Sequence, residues 1–200
     1  RDISLITTPP TGRKSVKTIV SRYSKSLVFE AIQREFYRDG QVFYLLNNVS
    51  MLEEKKKEIS DRFPGKTIAF AHGQLRPKEL SKVMQSFIRK EIDLLVCTTI
   101  IESGIDIENA NTLIVEESEN YGLSQLHQIR GRVGRSKREA YAYFLLNENK
   151  ELKNKASERI NALQENESLL SGFSLAMRDL EIRGAGELLG EKQSGPIDVV

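Results

Sequence analysis

A run of residues rich in arginine and glycine is the part of the sequence best suited to chemistry. This basic run spans residues 128–135 and reads QIRGRVGR. Its glycines have no Cβ, so the backbone is free to approach a ligand closely. Arg132 and Arg135 are three residues apart and would project from one face of a helical turn. Paired guanidinium groups suit a polyphosphate, above all the charge on a phosphoryl group in transfer.

The alternative interpretation of the basic run is a solvated loop or a simple contact with a phosphate backbone. A generic pair of arginines would favour that alternative. The spacing of the two glycines, together with Gln128 four residues before Arg132, favours the polyphosphate site instead.

The elements that position the basic run are indicated by apolar periodicity. Strand-length apolar runs alternate with helices that carry one apolar stripe. This order predicts right-handed βαβ units and an α/β fold with a parallel sheet covered by helices on both faces. We expect strands at 16–23 (a sheet edge), 41–46, 67–71, 92–97, 112–116 and 140–146, and helices at 27–38, 51–63, 77–89 and 123–130. After residue 147 two helical stripes predict a helical hairpin, followed by a glycine-rich loop.

Polar residues follow several of the predicted strands, at the edge where parallel sheets bind ligands. Thr98 and Thr99 end one strand, Asn47 follows another and His72 a third. Short hydroxyls and backbone N–H groups suit the phosphate oxygens of a nucleic acid. Local turn capping is the alternative, and composition alone would favour it.

Composition excludes several classes of protein. The 200 residues carry a formal net charge of +2, too small to indicate nucleic-acid binding by itself. The single cysteine, Cys97, excludes an internal disulfide and fits a reducing cytoplasm. No apolar stretch is long enough to cross a membrane, and two histidines give almost no ligands for a metal site. Residues 65–67 (GKT) resemble the end of a P-loop, but Ser60 stands where that motif needs glycine, so a complete NTPase is excluded.

Three segments carry a resemblance to a known family. The basic run resembles motif VI of superfamily 2 helicases and translocases, and LLVCTTIIESGIDI at 94–107 is similar to their motif V. RDLEIRGAGELLGEKQSG at 178–195 resembles the translocation motif shared by the RecG branch-migration helicases and the transcription-repair coupling factors. With the opening RDISLITTPP, the match is closest to the coupling-factor family and runs through nearly the whole chain.

This resemblance implies a fragment with three parts. Residues 1–15 would end a preceding lobe or linker, 16–149 would form a second RecA-like helicase C-terminal domain, and 150–200 would hold the helical hairpin and translocation motif. The fold would be that of a P-loop NTPase without its own P-loop. ATP with Mg²⁺ would be held mainly by a first RecA-like lobe, and no metal site is expected within this chain.

The resemblance also implies roles for single residues. Arg132 and Arg135 would contact the γ-phosphate from the ligand-facing rim of the sheet, Gln128 would orient them, and Arg130 would face solvent or the partner lobe. A hairpin that only covers apolar surface is the alternative for the C-terminal segment, and a charged turn is the alternative for Asp106. The remaining positions are Gly104 and Asp106 near the nucleotide, Thr98, Thr99, Asn47, His72 and Arg76 on DNA, and Arg178, Arg183 and Gln193 in coupling hydrolysis to movement.

The function implied by the family is that of the C-terminal motor lobe of a cytoplasmic, ATP-dependent translocase on double-stranded DNA. Its partners would be RNA polymerase, which it displaces when stalled, and nucleotide excision repair proteins. A RecG-like branch-migration helicase lobe is the alternative within this class. A non-catalytic nucleic-acid-binding module with a RecA-like fold is the alternative outside it, and the arginine pair argues against that. The isolated chain is expected to be inactive, because the P-loop is missing.

Overall fold

Six parallel strands form the sheet of the computed structural model, which describes residues 16–98, 109–134 and 138–147. The sheet has the strand order β1-β6-β5-β2-β4-β3, so the predicted parallel sheet and the edge position of β1 are confirmed. The strands are β1 (Val16–Arg22), β2 (Gln41–Leu45), β3 (Ile68–Ala71), β4 (Leu94–Cys97), β5 (Ala110–Val115) and β6 (Ala140–Leu146). The helices of the described residues are α1 (Lys25–Tyr37), α2 (Leu52–Arg62), α3 (Pro77–Ile88) and α4 (Leu123–Arg130). The predictions for 1–15 and 150–200 lie outside the described residues.

The central strands are continuous apolar runs because helices cover both of their faces. β2, β4 and β5 are buried at every position. α1 and α2 pack on one face of the sheet, through residues such as Ile32 and Ile59. α3 and α4 pack on the other face, through residues such as Phe87 and Leu126. The result is a three-layer α/β/α arrangement.

The helices carry the chain back from the carboxyl edge of the sheet, where the strands end, to the amino edge, where they begin. The turn after α4 reaches the amino edge, since Gly134 N donates to the carbonyl oxygen of Ala110, the first residue of β5, at 3.3 Å. A Cβ added to Gly134 would lie 2.8 Å from the Cβ of Ala140, the first residue of β6. Residues that follow strands and residues that follow this helix therefore lie at opposite edges.

The connection from α1 to β2 depends on a buried carboxylate. Glu35 is 1% exposed and accepts hydrogen bonds from Arg38 Nη2 at 2.7 Å and from Thr112 Oγ1 at 2.5 Å. The chain leaves α1 through Asp39, which adopts the left-handed conformation with φ 62°. Glycine is needed at the next position, because a Cβ on Gly40 would overlap Glu35 Oε2.

Gly40→Ala should therefore lower the free energy of unfolding by roughly 1–3 kcal/mol, because the new methyl group pushes the Glu35 carboxylate off its donors. Denaturant-induced unfolding measures the change.

Gly65→Ala is the matched control, because nothing lies within 4 Å of its added Cβ. It should be neutral or stabilise the fold by about 0.4–1 kcal/mol, by reducing the entropy of the unfolded chain. Equal losses of stability in the two variants would contradict the role assigned to Gly40.

Candidate nucleotide and nucleic-acid sites

Residues 128–134 of the basic run form the end of α4 and the turn that follows it. Leu126 and Ile129 are buried against the sheet and fix the helix, which has Gly131 as its C-cap. Arg132 N donates to the carbonyl oxygen of Ile129 at 3.0 Å, so the turn folds back on the helix end. Gly134 has a φ of 73°, a conformation that favours glycine. The helix predicted at 123–130 is confirmed, and the turn after it is tight.

The sequence predicts that Arg130 faces solvent or the partner lobe, but it is fully buried in the chain itself, with 0% of its surface exposed. Its Nη1 donates to Thr18 Oγ1 in β1 at 2.8 Å. Its Nη2 lies 3.4 Å from His127 Nδ1, one helical turn earlier. The prediction fails because α4 lies flat on the sheet and residue 130 falls on its inner face, where Ile129 is also buried.

His127 is a neutral acceptor in this arrangement. A guanidinium group only donates hydrogen bonds, so the Nδ1 atom that faces Arg130 must be unprotonated. Burial lowers the pKa of His127 to about 4, and the positive charge of Arg130 contributes to the same shift. His127 therefore packs beneath the basic run as a hydrogen-bond partner of Arg130.

Gln128 and Arg132 lie near the amino edge of the sheet, where Gln128 is exposed and Arg132 is half-buried. The sequence predicts Arg132 at the ligand-facing rim, which is formed by the carboxyl ends of the strands, and that placement is wrong. The physical reason is the direction of α4, which runs from the carboxyl edge to the amino edge before the basic run begins. Arg135, Gly104 and Asp106 lie outside the described residues.

The described residues expected to contact DNA gather at the carboxyl edge. Thr98 follows β4 and is buried, Asn47 lies two positions after β2 and is exposed, and His72 directly follows β3. Arg76 is exposed and is the N-cap of α3. Because β2, β4 and β3 are adjacent in the sheet, these residues share one side of that edge. Thr99 lies outside the described residues.

Two short turns shape this part of the edge. His72 Nδ1 accepts a hydrogen bond from Gln74 N at 3.1 Å, which fits the turn alternative for that histidine. Asn48 caps the 3-10 turn Val49–Met51, since its Oδ1 accepts from Ser50 N at 3.2 Å. Both asparagines are exposed, and the side chain of Asn48 has the structural role of capping this turn.

A pocket of ≈170 Å³ opens at the carboxyl edge, between the ends of β2 and β5. Glu117 on its wall has a left-handed φ of 50°, and its carboxylate accepts a hydrogen bond from Asn147 Nδ2 at 3.2 Å. Glu116 and Glu117 both line the pocket, and their carboxylates disfavour phosphate there. The lining consists of Leu46, Asn47, Asn48, Met51, Glu116, Glu117, Asn120, Tyr121 and Gln125.

A charged cluster joins α2 to the same edge. Lys55 Nζ lies 3.1 Å from Glu116 Oε2 and 3.1 Å from Glu58 Oε1. The Tyr44 hydroxyl donates to Glu116, and burial raises the pKa of Tyr44, with the Glu116 carboxylate raising it further, so the hydroxyl keeps its proton. Burial alone would lower the pKa of Lys55, but the charges and hydrogen bonds of its partners outweigh it and raise that pKa.

Sequence reasoning missed this cluster and the burial of Arg130. One signal was available for the cluster, because Lys55 and Glu58 are three residues apart on a helix and Glu116 directly follows a buried strand. Pairing between them depends on the strand order, which the sequence pattern did not give.

Two general properties follow from the described part of the chain. No group of three or more His, Cys, Asp or Glu side chains there could hold a metal ion. None of its helices is long and apolar enough to span a bilayer.

Cys97 is buried at the end of β4, and burial raises the pKa of its thiol well above the usual range.

The family model and the related sequences that match this chain agree on one family. The model of the helicase conserved C-terminal domain matches residues 25–137. The transcription-repair-coupling factor of Staphylococcus haemolyticus (strain JCSC1435) is 54% identical over 200 residues, which is 100% of this chain and 17% of that protein. The transcription-repair-coupling factor of Staphylococcus aureus (strain USA300) is 53% identical with the same coverage. The chain thus spans 17% of the length of these relatives.

Comparison with solved structures gives the same fold. The structure of RecG bound to a three-way DNA junction matches with a TM-score of 0.74 and 35% identity, over 90% of this chain and 24% of that one. S. cerevisiae Dbp5 L327V bound to RNA and ADP BeF3 matches with a TM-score of 0.56 and 13% identity, over 84% of this chain and 45% of that one. At that identity the second match supports the fold alone.

These findings confirm the predicted RecA-like helicase C-terminal fold and the resemblance to the coupling factors. The family model covers more than half of the 200 residues and most of the described sheet. The chain belongs to the family of helicase conserved C-terminal domains.

Proposed function

We propose that this chain is the second motor lobe of an ATP-dependent translocase on double-stranded DNA, of the transcription-repair coupling kind. The observation that carries the proposal is the position of the basic run at the amino edge of the sheet. The buried end of α4 holds the run there, and Arg132 is only half-buried. Coupling factors that are 53–54% identical over the whole chain supply the reaction class.

The nucleotide contact of the lobe is assigned to the amino edge. Arg132 and Arg135 contact the γ-phosphate of ATP, whose Mg²⁺ and remaining phosphates are held by another lobe with the P-loop. An arginine supplied in this way stabilises the charge that develops in phosphoryl transfer, and is worth about 10³- to 10⁵-fold in rate. Gln128, which is exposed on the same helix end, orients the pair. Gly104 and Asp106 are assigned to the nucleotide as well.

The DNA contact of the lobe is assigned to the carboxyl edge, at Thr98, Thr99, Asn47, His72 and Arg76. Exposure of Asn47 and Arg76 supports this assignment, as does their position on one side of the edge. The two ligands then bind opposite edges of one sheet. Closure of the lobes around ATP would move the DNA-binding edge as a rigid unit, which is a mechanical basis for translocation.

The finer parts of the function depend on the family. Arg178, Arg183 and Gln193 are assigned to coupling between hydrolysis and movement, and RNA polymerase and nucleotide excision repair proteins are assigned as partners in the cytoplasm. The match to RecG on a three-way junction favours a branch-migration lobe as the second candidate. The higher identity, 54% with a coupling factor against 35% with RecG, supports the first candidate.

Arg132→Ala tests the nucleotide contact in the protein that carries both lobes. We expect kcat for ATP hydrolysis to fall by about 10³-fold or more, with the Kd for ATP little changed, because the lost interaction is made in the transition state. Steady-state hydrolysis and equilibrium binding of a fluorescent ATP analogue measure the two quantities.

Arg62→Ala is the control for the loss of an exposed arginine, since Arg62 ends α2 on the other face of the sheet. It should keep the wild-type kcat. An unchanged kcat in Arg132→Ala, or robust turnover by the isolated chain, would refute the motor-lobe assignment.

Arg76→Ala tests the DNA contact. A lost phosphate contact should weaken binding to duplexes of any sequence and reduce the slope of log affinity against log salt by about 0.9. Fluorescence anisotropy at several salt concentrations measures both effects.

Arg89→Ala is the matched control, because Arg89 follows the opposite end of α3 and is paired with Glu91 at 3.1 Å. It should leave the slope unchanged. The reverse pattern, with Arg89 setting the slope, would move the DNA-binding surface to the amino edge.

A further inference from the structure

We propose that Arg130 is a positioning residue for the hydrolysis reaction, tying the basic run to β1 so that Arg132 is held in place. This inference rests on the proposed function, in which Arg132 contacts the nucleotide. Arg130 itself is fully buried and touches no ligand; it acts through the residue two positions after it.

The guanidinium group of Arg130 contacts two different elements, and we call this pair of contacts the tie. Arg130 Nη1 donates to Thr18 Oγ1 at 2.8 Å, and Thr18 is 5% exposed in the middle of β1. Arg130 Nη2 meets the neutral Nδ1 of His127 at 3.4 Å, on α4 itself. The planar guanidinium fork therefore sets the position of the helix end relative to the edge strand.

A purely structural role would be filled more simply by an apolar side chain. Burial of a charged group is costly, and well-packed apolar residues often replace buried charges without loss of stability. A guanidinium group differs in that its donors point in fixed directions, so it specifies one geometry rather than a range of packings. Arg130 thus contributes precision in the placement of α4.

The turn after Arg130 transmits the position of the helix end to Arg132. Arg132 N donates to the carbonyl oxygen of Ile129 at 3.0 Å, so the backbone of Arg132 is fixed to the last turn of α4. A shift of the helix end relative to β1 would therefore shift Arg132 as well. A displacement of about 1 Å in a group that contacts the reacting phosphate is enough to lower a rate by about 100-fold.

Thr18→Val tests the tie, because it removes the hydroxyl that accepts from Arg130 while it keeps the shape of the side chain. In the protein with both lobes, we expect kcat for ATP hydrolysis to fall about 10-fold or more while KM for ATP changes little, as for a loss in the transition state. Thr18→Ser restores the hydroxyl and should recover most of kcat.

Thr112→Val is the matched control for the loss of a buried strand hydroxyl. Thr112 is 2% exposed and donates to Glu35 at 2.5 Å, on the face of the sheet opposite α4. It should lower the thermal midpoint as Thr18→Val does, yet leave kcat at the wild-type value when both variants are assayed well below that midpoint.

Two outcomes separate this inference from the proposed function. If Arg132→Ala abolishes hydrolysis but Thr18→Val keeps the kcat of Thr112→Val, the positioning role is wrong and the motor-lobe assignment stands. If Arg132→Ala hydrolyses ATP at the wild-type rate, the proposed function fails and the positioning role fails with it. A loss of kcat in Thr18→Val that Thr18→Ser reverses supports the tie.

Discussion

The parallel direction of all six strands is the constraint on which the rest of the structure depends. Parallel neighbours require a connection that returns the chain to the start of the sheet. The residues that directly follow the strands are therefore placed at the carboxyl edge, and the turn after α4 is placed at the amino edge. One sheet therefore gives the lobe two separate surfaces, one at its carboxyl edge and one at its amino edge.

Buried charges fix both faces of this sheet. On one face Glu35 joins α1 to β5 through Thr112, and on the other Arg130 joins α4 to β1 through Thr18. A buried charge is tolerated only where hydrogen bonds satisfy it, so each of these groups permits a single placement of its helix. Each face thus has one buried charged side chain that hydrogen-bonds to a strand threonine, and the charge is negative for Glu35 and positive for Arg130. This arrangement suits a lobe that moves as a rigid body.

The sequence predicted the helices and strands of the fold well. Their apolar patterns reflect which residues are buried, and residues of this sheet are buried along most of its length. β2 and β5 are covered on both faces, and their continuous apolar runs made them easy to identify. Positions that depend on three-dimensional neighbours were harder. Arg130 was expected to face solvent or the partner lobe, and the packing of α4 against β1 explains its burial instead. The edge at which Arg132 lies follows from helix direction, which the motif by itself does not contain.

The pairing of β1 with β6 has a consequence for biosynthesis. The two strands align from Val16 opposite Ala140 to Arg22 opposite Leu146, so neighbours in the sheet come from distant parts of the chain. During synthesis β1 leaves the ribosome first among these strands and β6 leaves last. The backbone groups of β1 therefore have no strand to pair with until β6 has been made. Contacts between such distant segments form slowly, and an unpaired strand edge is prone to join other chains. The contact between β1 and β6, beside which Thr18 meets Arg130, is thus the last of the sheet to form on a nascent polypeptide, and the turn after α4 reaches its final position only when translation of the sheet is complete.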